Sequence, residues 1–338
     1  MNRRDFIILA GGALGTRPVG ALAQARPVPL VGMLFPGGTE GPFSIDSTTA
    51  FFEGLHKEGY DEGRNIAVEY RHADGHFERL PALAEELVNL HPDVIVSWVT
   101  AASIAAKKAT STIPIVMGGV ADPIGAGLVT SLARPGGNVT GTSGMSIEVG
   151  GKPLEILHNA VPRATRVAVL WNPANAVYQS GMLNATKAAA EALQIELHVF
   201  PATSPAEIDE AFKAMNRTHV EALDILSDPL FSIGENQRQL ISLATLARLP
   251  SVTGNRGYAD EGGLMSYGPD YAEVSRRTGH YVAMILKGAA PRSLPIERAT
   301  KFDLAINLRT AKVLGLTIPY ALLVRADRAG WRGARGAQ

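Results

Sequence analysis

Short runs of apolar residues alternate with amphipathic stretches along most of the chain, from Pro29 onwards. The runs are rich in Val and Ile and show little polar alternation, which is typical of parallel strands covered by helices on both faces. In the first half they predict strands at residues 30–35, 66–70, 94–99 and 115–120. The clearest helix pattern between them puts Leu80, Leu83, Ala84 and Leu87 on one face. This alternation predicts a parallel sheet with right-handed crossovers.

A second series of the same kind begins after a turn-forming cluster at residues 134–138. It predicts strands at residues 166–171, 196–200, 222–226 and 251–253. A last unit consists of a strand at residues 264–266, a helix over about 271–286 and a strand at 302–307. This unit is too small to fold alone, so we expect the chain to cross back to the first domain and then return to the second.

These crossings predict an α/β protein of two doubly wound, Rossmann-like lobes joined by hinge strands. The first lobe would comprise residues 26–141 plus 268–298, and the second lobe residues 142–267 plus 299–325. Residues 326–338 contain arginines among Gly and Ala, which predicts a flexible basic tail.

The first 25 residues have the features of an export signal. Arg3 and Arg4 form a basic start, residues 6–14 are apolar and rich in glycine, and residues 21–25 offer the small side chains that an export peptidase needs. The arginine pair also resembles a twin-arginine leader. No later stretch approaches the roughly 18 apolar residues of a transmembrane helix, so we expect a soluble, exported protein.

Composition narrows the function further. The chain has 338 residues, 46% of them hydrophobic, with 32 Lys and Arg against 32 Asp and Glu and no cysteine. The balanced charge argues against a nucleic-acid binder, which usually carries a clear positive excess. The lack of cysteine excludes disulfides, thiolate nucleophiles, Cys-ligated metals and a lipid-anchored N-terminal cysteine. Removal of the first 25 residues leaves a slightly acidic chain with a net charge of −2.

Ligands of open parallel sheets bind beyond the carboxyl ends of the strands, so the residues that follow each predicted strand are the candidates for a site. After the third strand, the segment from Thr100 through Ala102 to Ser103 opens a helix, whose free N–H groups and hydroxyls favour an anion. Asp122 and Asp228 follow strands in opposite lobes, where a carboxylate can accept a hydrogen bond from an ammonium or hydroxyl group. An equal alternative is that Thr100 and the two aspartates only cap helices or shape turns.

Other candidates at the strand ends are amides and rings. Asn172 and Asn175 follow the first strand of the second lobe, and Tyr267 lies near a hinge strand. Trp98, Trp171 and Phe231 lie close to strand ends as well, although an aromatic residue there is more often part of the core.

Signatures of enzymes and metal sites are mostly missing. The chain has no G-x-G-x-x-G turn after a strand, no P-loop and no complete nucleophile elbow. His72 and His76 have a spacing that suits a metal, but no third ligand is evident. We therefore expect no catalytic residue, no metal and no cofactor.

Several motifs are similar to those of the ABC-transporter substrate-binding family that includes the tryptophan-binding TrpX-like proteins. The longest are DPIGAGLV at residues 122–129 and LARPGGNVTG at residues 132–141. Further matches are VLWNP at 169–173, GGLMSYG at 262–268, LKGA at 286–289, and the segments 301–302 and 306–312. The resemblance covers residues 27–327 and implies the type I periplasmic binding protein fold, with three crossings between the lobes.

The resemblance implies a periplasmic receptor that closes its lobes over a small, amino-acid-like solute and delivers it to an ABC permease, with aromatic amino acids as the best-known ligands of the family. In that reading Thr100 and Ser103 hold the carboxylate, Asp122 or Asp228 faces the ammonium group, and Asn172 and Asn175 contribute from the second lobe. We expect a monomer. The alternatives are a two-domain α/β enzyme, an extracytoplasmic sensor domain, or a transcription regulator, which would need a DNA-binding domain before the first strand.

Overall fold

The computed structural model describes residues 28–38, 42–144, 149–232 and 234–330, without the side chains of residues 42–46, Val177 and Arg256. The predicted signal peptide lies outside the described residues, as do residues 331–338 of the predicted tail. Among the helices in the described ranges, none is both long and apolar enough to cross a membrane.

The first sheet contains six parallel strands in the order β11-β5-β4-β3-β1-β2. Its elements in the first part of the chain are β1 (Leu30–Phe35), α1 (Pro42–Lys57), β2 (Ala67–His72), α2 (Leu80–Asn89), β3 (Val94–Trp98), α3 (Val99–Ala109), β4 (Ile115–Val120) and β5 (Val139–Ser143). Two more, α10 (Tyr271–Leu286) and β11 (Glu297–Arg298), come from late in the chain.

Alternate residues of its strands point to opposite faces, and both faces are buried. Val31, Met33 and Phe35 join one core cluster with residues of α1 and α10, whereas Leu34 joins the other with residues of α2 and α3. This two-sided burial explains why the strands are continuously apolar in sequence.

The second sheet has the order β13-β12-β10-β9-β8-β6-β7 and is parallel except where β10 pairs with β12. Its strands are β6 (Arg166–Trp171), β7 (Glu196–Pro201), β8 (Ala222–Ile225), β9 (Ser251–Thr253), β10 (Met265–Pro269), β12 (Phe302–Ile306) and β13 (Arg328–Ala329). Its helices are α4 (Lys152–Ala160), α5 (Ala176–Leu193), α6 (Pro205–Thr218), α7 (Pro229–Ser232), α8 (Gly234–Leu246), α9 (Arg256–Asp260), α11 (Leu308–Val313) and α12 (Tyr320–Arg325). Apolar residues of α4, α5, α11 and α12 cover one face, and those of α6 and α8 cover the other.

The prediction of two doubly wound α/β units is confirmed, including the return of the chain to the first unit. After β10 in the second sheet, α10 packs on the first sheet and β11 pairs with β5, before β12 rejoins the second sheet. The predicted lobe boundaries remain proposals, and two of them fall inside strands: residues 142–143 pair within the first sheet, and residues 268–269 pair within the second.

The predicted flexible tail begins too early. Residues 328–329 form β13 and pair with β12, and the backbone of Asp327 donates to the carbonyl of Leu304. The Asp327 carboxylate in turn accepts from the N–H of Leu304 at 2.9 Å. Arginine and glycine content indicated a solvated tail here, but an open sheet edge offers unpaired N–H and C=O groups that favour pairing.

Candidate functional site

Four polar side chains of the second lobe form one hydrogen-bonded cluster where β6 and β8 end. Asn172 caps a short 3-10 turn at Pro173–Asn175. Asn175 ends this turn and precedes the first residue of α5. Asn172 Nδ2 donates to Asp228 Oδ1 at 2.9 Å, and Asn175 Nδ2 donates to Asp228 Oδ2 at 2.8 Å. Gln179, one turn further along α5, donates through Nε2 to the carbonyl of Ser227 at 2.8 Å. The structure therefore brings three of the predicted site residues together, Asn172, Asn175 and Asp228, and adds Gln179, which the sequence analysis did not name.

The carboxylate of Asp228 is saturated by partners within the lobe. Oδ1 also accepts from the N–H of Leu230 at 2.9 Å, and the side chain is buried. Burial raises the pKa of Asp228 to about 6, although the hydrogen bonds from Asn172, Asn175 and Leu230 oppose this rise. Asp228 thus orients the two asparagines at the edge of the cleft, and this role agrees better with the capping alternative than with direct contact to an ammonium group.

The first lobe presents the start of α3 beyond the end of β3. No side chain caps this helix, so its first N–H groups are available to an anion. Thr100 lies in the first turn and is 6% exposed. Ser103 is fully buried, with its hydroxyl 2.9 Å from the Ser97 hydroxyl and donating to the Val99 carbonyl at 2.8 Å. Ala102 packs in the core, so its side chain is not accessible to a ligand.

Val99 has a left-handed backbone conformation, with a φ of +56°, at this turn from strand to helix. A β-branched residue is unfavourable there, and the left-handed conformation costs roughly 1–2 kcal/mol. Such strain is typical of functional sites, where surrounding structure maintains a conformation that the residue itself disfavours. Apolar patterning could not indicate this conformation, because it predicted Val99 as the last residue of the strand.

Replacement of Val99 by Gly should relieve this strain. We expect Val99→Gly to raise the free energy of unfolding by up to about 1 kcal/mol. Loss of the contacts that the Val99 side chain makes reduces this gain. Urea denaturation measures the change. Gln194→Gly is the matched control, because Gln194 also has a positive φ, of 57°, but lies at the end of α5. Destabilisation of Val99→Gly by more than 1 kcal/mol, together with stabilisation of the control, would contradict the assignment of strain.

The other predicted residues take different positions. Asp122 is half-buried and caps a turn, since Oδ1 accepts from the N–H of Gly125 at 2.8 Å. Tyr267 stacks on Phe302, with ring centroids 5.9 Å apart, beside the hinge strands. Their direct contact with a ligand stays a prediction.

Of the predicted aromatic residues, Trp98 and Phe231 are core, as expected for rings near strand ends. Trp98 stacks on Phe35, which also stacks on His72 at 4.8 Å. His72 is thus part of a ring stack, and burial lowers its pKa. In the described part of the chain, no three side chains cluster as a metal site would require.

The two lobes come close to each other at these strand ends. Residues of α3 in the first lobe lie within 8 Å of residues of α5 in the second, measured between Cα atoms. The uncapped start of α3 and the asparagine cluster before α5 therefore belong to helices of opposite lobes that approach each other. This arrangement suits capture of a small polar molecule between the lobes.

Comparisons with known proteins agree with this geometry. Residues 39–329 match the family described as "ABC transporter substrate binding protein". A tyrosine-binding protein of Clostridioides difficile is 27% identical over 279 residues, which cover 82% of this chain and 79% of that protein.

Two solved structures are each 25% identical to this chain. One, from Streptococcus pneumonia, is an ABC domain in complex with L-Trp; it has a TM-score of 0.81 and covers 89% of this chain and 99% of its own. The other is the ligand-free, open structure of a substrate-binding protein with adhesive properties from Clostridium difficile; it has a TM-score of 0.65 and covers 90% of this chain and all of its own.

The type I periplasmic binding protein fold expected from the sequence is thus confirmed. The family and these relatives are solute-binding proteins and not enzymes, which removes the enzyme alternative. Because the family match spans most of the chain, this protein belongs to the family of ABC transporter substrate-binding proteins.

Proposed function

We propose that this protein is the extracytoplasmic binding component of an ABC importer, and that it captures an amino acid, in the first place an aromatic one, between its two lobes. Relatives that bind tyrosine and L-Trp support this ligand class. The uncapped start of α3 supplies an anion site for the carboxylate, and the asparagine cluster supplies polar groups from the other wall.

The observation that carries the proposal is the arrangement of the lobes. At equal identity and almost equal coverage, the chain is more similar to the L-Trp complex than to the ligand-free, open structure, with TM-scores of 0.81 and 0.65. Approach of α3 to α5 agrees with a closed cleft. Function then consists of a shift between open and closed forms, which the ligand drives through contacts to both lobes.

The proposal also covers export, oligomeric state and delivery of the ligand. We propose that residues 1–25 direct export to the periplasm and are removed, that the mature protein acts as a monomer, and that the closed form delivers its ligand to a cognate permease in the inner membrane. The export-like features of residues 1–25 support the first step, and the family match supports the role beside an ABC transporter.

A thermal-shift screen of the chain from residue 26 onwards tests the ligand class, with amino acids, sugars and nucleosides as candidates. A ligand present at about 100 times its Kd adds about 2.7 kcal/mol to the free energy of unfolding, so we expect Tm to rise by several degrees with L-tyrosine or L-tryptophan. Hits confined to sugars or nucleosides would refute the amino-acid assignment.

A further inference from the structure

Two tyrosines from opposite lobes lie at the cleft and take no part in the polar cluster described above. Tyr271 is the first residue of α10, which packs on the first sheet, and follows the capping residue Asp270. Tyr178 lies in the first turn of α5, between Asn175 and Gln179, in the second lobe. Each tyrosine therefore occupies the first turn of a helix, one in each lobe.

A bulge in β4 positions the ring of Tyr271. The pairing of β4 with β5 shifts register between Met117 and Val120, and Gly119 within this bulge has a φ of +68°. A Cβ atom at Gly119 would lie 3.4 Å from Cε1 of Tyr271. Glycine thus provides the backbone conformation of the bulge, and the ring of Tyr271 lies in van der Waals range of it at the carboxyl end of the first sheet.

The ring of Tyr178 is placed by the second lobe. It packs on an apolar cluster that includes Met182 and Leu226, next to Trp171. Its sequence neighbours Asn175 and Gln179 are both within hydrogen-bonding range of Asp228, although the Gln179 contact is long at 3.5 Å. The first turn of α5 is therefore fixed, and Tyr178 is held at the carboxyl end of the second sheet.

Both phenols lie at the carboxyl ends of their sheets, and the pKa of each is raised. Burial raises the pKa of Tyr178 well above its usual range, and Tyr271 and Asp228 raise it further. Burial also raises the pKa of Tyr271 to about 12. Yet both side chains are only half-buried. A tyrosine that is partly exposed yet has a raised pKa is expected to line a cleft rather than the open surface. Both phenols stay uncharged at neutral pH.

We propose that Tyr178 and Tyr271 form the ring-recognition end of the cleft and contact the flat side chain of the bound amino acid from opposite lobes. This inference rests on the proposed function and adds the residues that select the ligand. The start of α3 takes the carboxylate, and the two rings offer apolar faces at a distance from it. Because one ring comes from each lobe, a planar side chain between them also stabilises the closed form.

Substitution by Leu removes the rings while it keeps apolar bulk. In the full mature chain, we expect Tyr178→Leu and Tyr271→Leu each to raise the Kd for L-tyrosine and L-tryptophan at least tenfold by isothermal titration calorimetry. The Kd for L-leucine should change less than threefold. The ratio of the Kd for L-leucine to the Kd for L-tryptophan should therefore fall. Tyr320→Leu is the matched control, because Tyr320 is 80% exposed on α12.

A second measurement uses the unaltered fold. With 3-fluorotyrosine incorporated throughout, the fluorine NMR signals of Tyr178 and Tyr271, assigned from their Phe variants, should shift when L-tryptophan binds, and the signal of Tyr320 should not.

Three results would overturn the inference: unchanged aromatic Kd values in both Leu variants, equal losses for L-leucine, or unmoved signals at both positions. A wild-type chain that binds only amino acids without rings would also overturn it and would leave the binding-protein role intact. A wild-type chain that binds no amino acid would refute the proposed function itself, and this inference with it.

Discussion

Replacement of Asp228 by Ala is expected to lower the free energy of unfolding by about 3 kcal/mol and to weaken amino-acid binding at least tenfold. The substitution removes one carboxylate that accepts from Asn172, Asn175 and the N–H of Leu230. Buried donors that lose their acceptor cost about 1–3 kcal/mol each, reduced where the site relaxes or admits water. We expect binding to fall as well, because both asparagines lose the acceptor that holds their side chains in place before α5.

Urea denaturation and calorimetry on the same preparations separate the two effects. Asp228→Asn keeps one acceptor oxygen but turns an amide NH2 towards an asparagine NH2, so we expect intermediate losses. Asp122→Ala is the matched control for stability, since Asp122 also follows a strand but caps only the N–H of Gly125 in a half-buried turn. If Asp228→Ala resembled this control in stability and kept wild-type affinity, the cluster would have no role in the site.

Patterns of apolar residues predicted most of the fold, because buried parallel strands and long helices depend on local sequence. The helix at Tyr271–Leu286 was predicted with its observed bounds, and the buried face of α2 at Leu80, Leu83, Ala84 and Leu87 is as expected. The missed strands are β5, β11 and β13. β5 reads Val-Thr-Gly-Thr-Ser, and β11 and β13 have only two residues each, so their pairing is set by tertiary position and leaves no periodic signal.

The candidate site was predictable in location but not in detail. The rule that ligands bind beyond strand ends correctly selected Asn172, Asn175 and Asp228 as neighbours. It could not show that they bind each other, because a side chain's partners depend on distances across the fold. Gln179 follows Asn175 by one helical turn, a spacing that puts both on one face of α5 and could have identified it.

Asp224 should make the stability of the protein fall as the pH rises from about 4 to about 7. This residue lies in the middle of β8, between Val169 of β6 and Val252 of β9, and is 1% exposed. Its Oδ2 has no hydrogen-bond partner within the described structure. Burial raises the pKa of Asp224 to about 7 from a usual value of 3.8, because the core disfavours the charged form.

The direction of the pH effect follows from proton binding in the two states. Below pH 3.8 both the folded and the unfolded chain hold the proton, so Asp224 carries no penalty. Between pH 3.8 and about 7 only the folded chain holds it, and stability is lost progressively as the pH rises through this range. Above pH 7 the folded protein must keep a buried charge without a partner.

Asparagine has nearly the same shape and does not ionise, so Asp224→Asn should be more stable than the wild type at high pH. We expect its advantage in free energy of unfolding to grow between pH 5 and pH 8 by on the order of 3 kcal/mol, since each pKa unit corresponds to about 1.4 kcal/mol. Urea denaturation at pH 5, 6, 7 and 8 measures this growth. Asp209→Asn on the exposed side of α6 makes the same change of charge and should show almost no pH dependence. A constant difference between Asp224→Asn and the wild type across this range would mean that Asp224 is already ionised in the folded protein at pH 5, which would contradict the raised pKa.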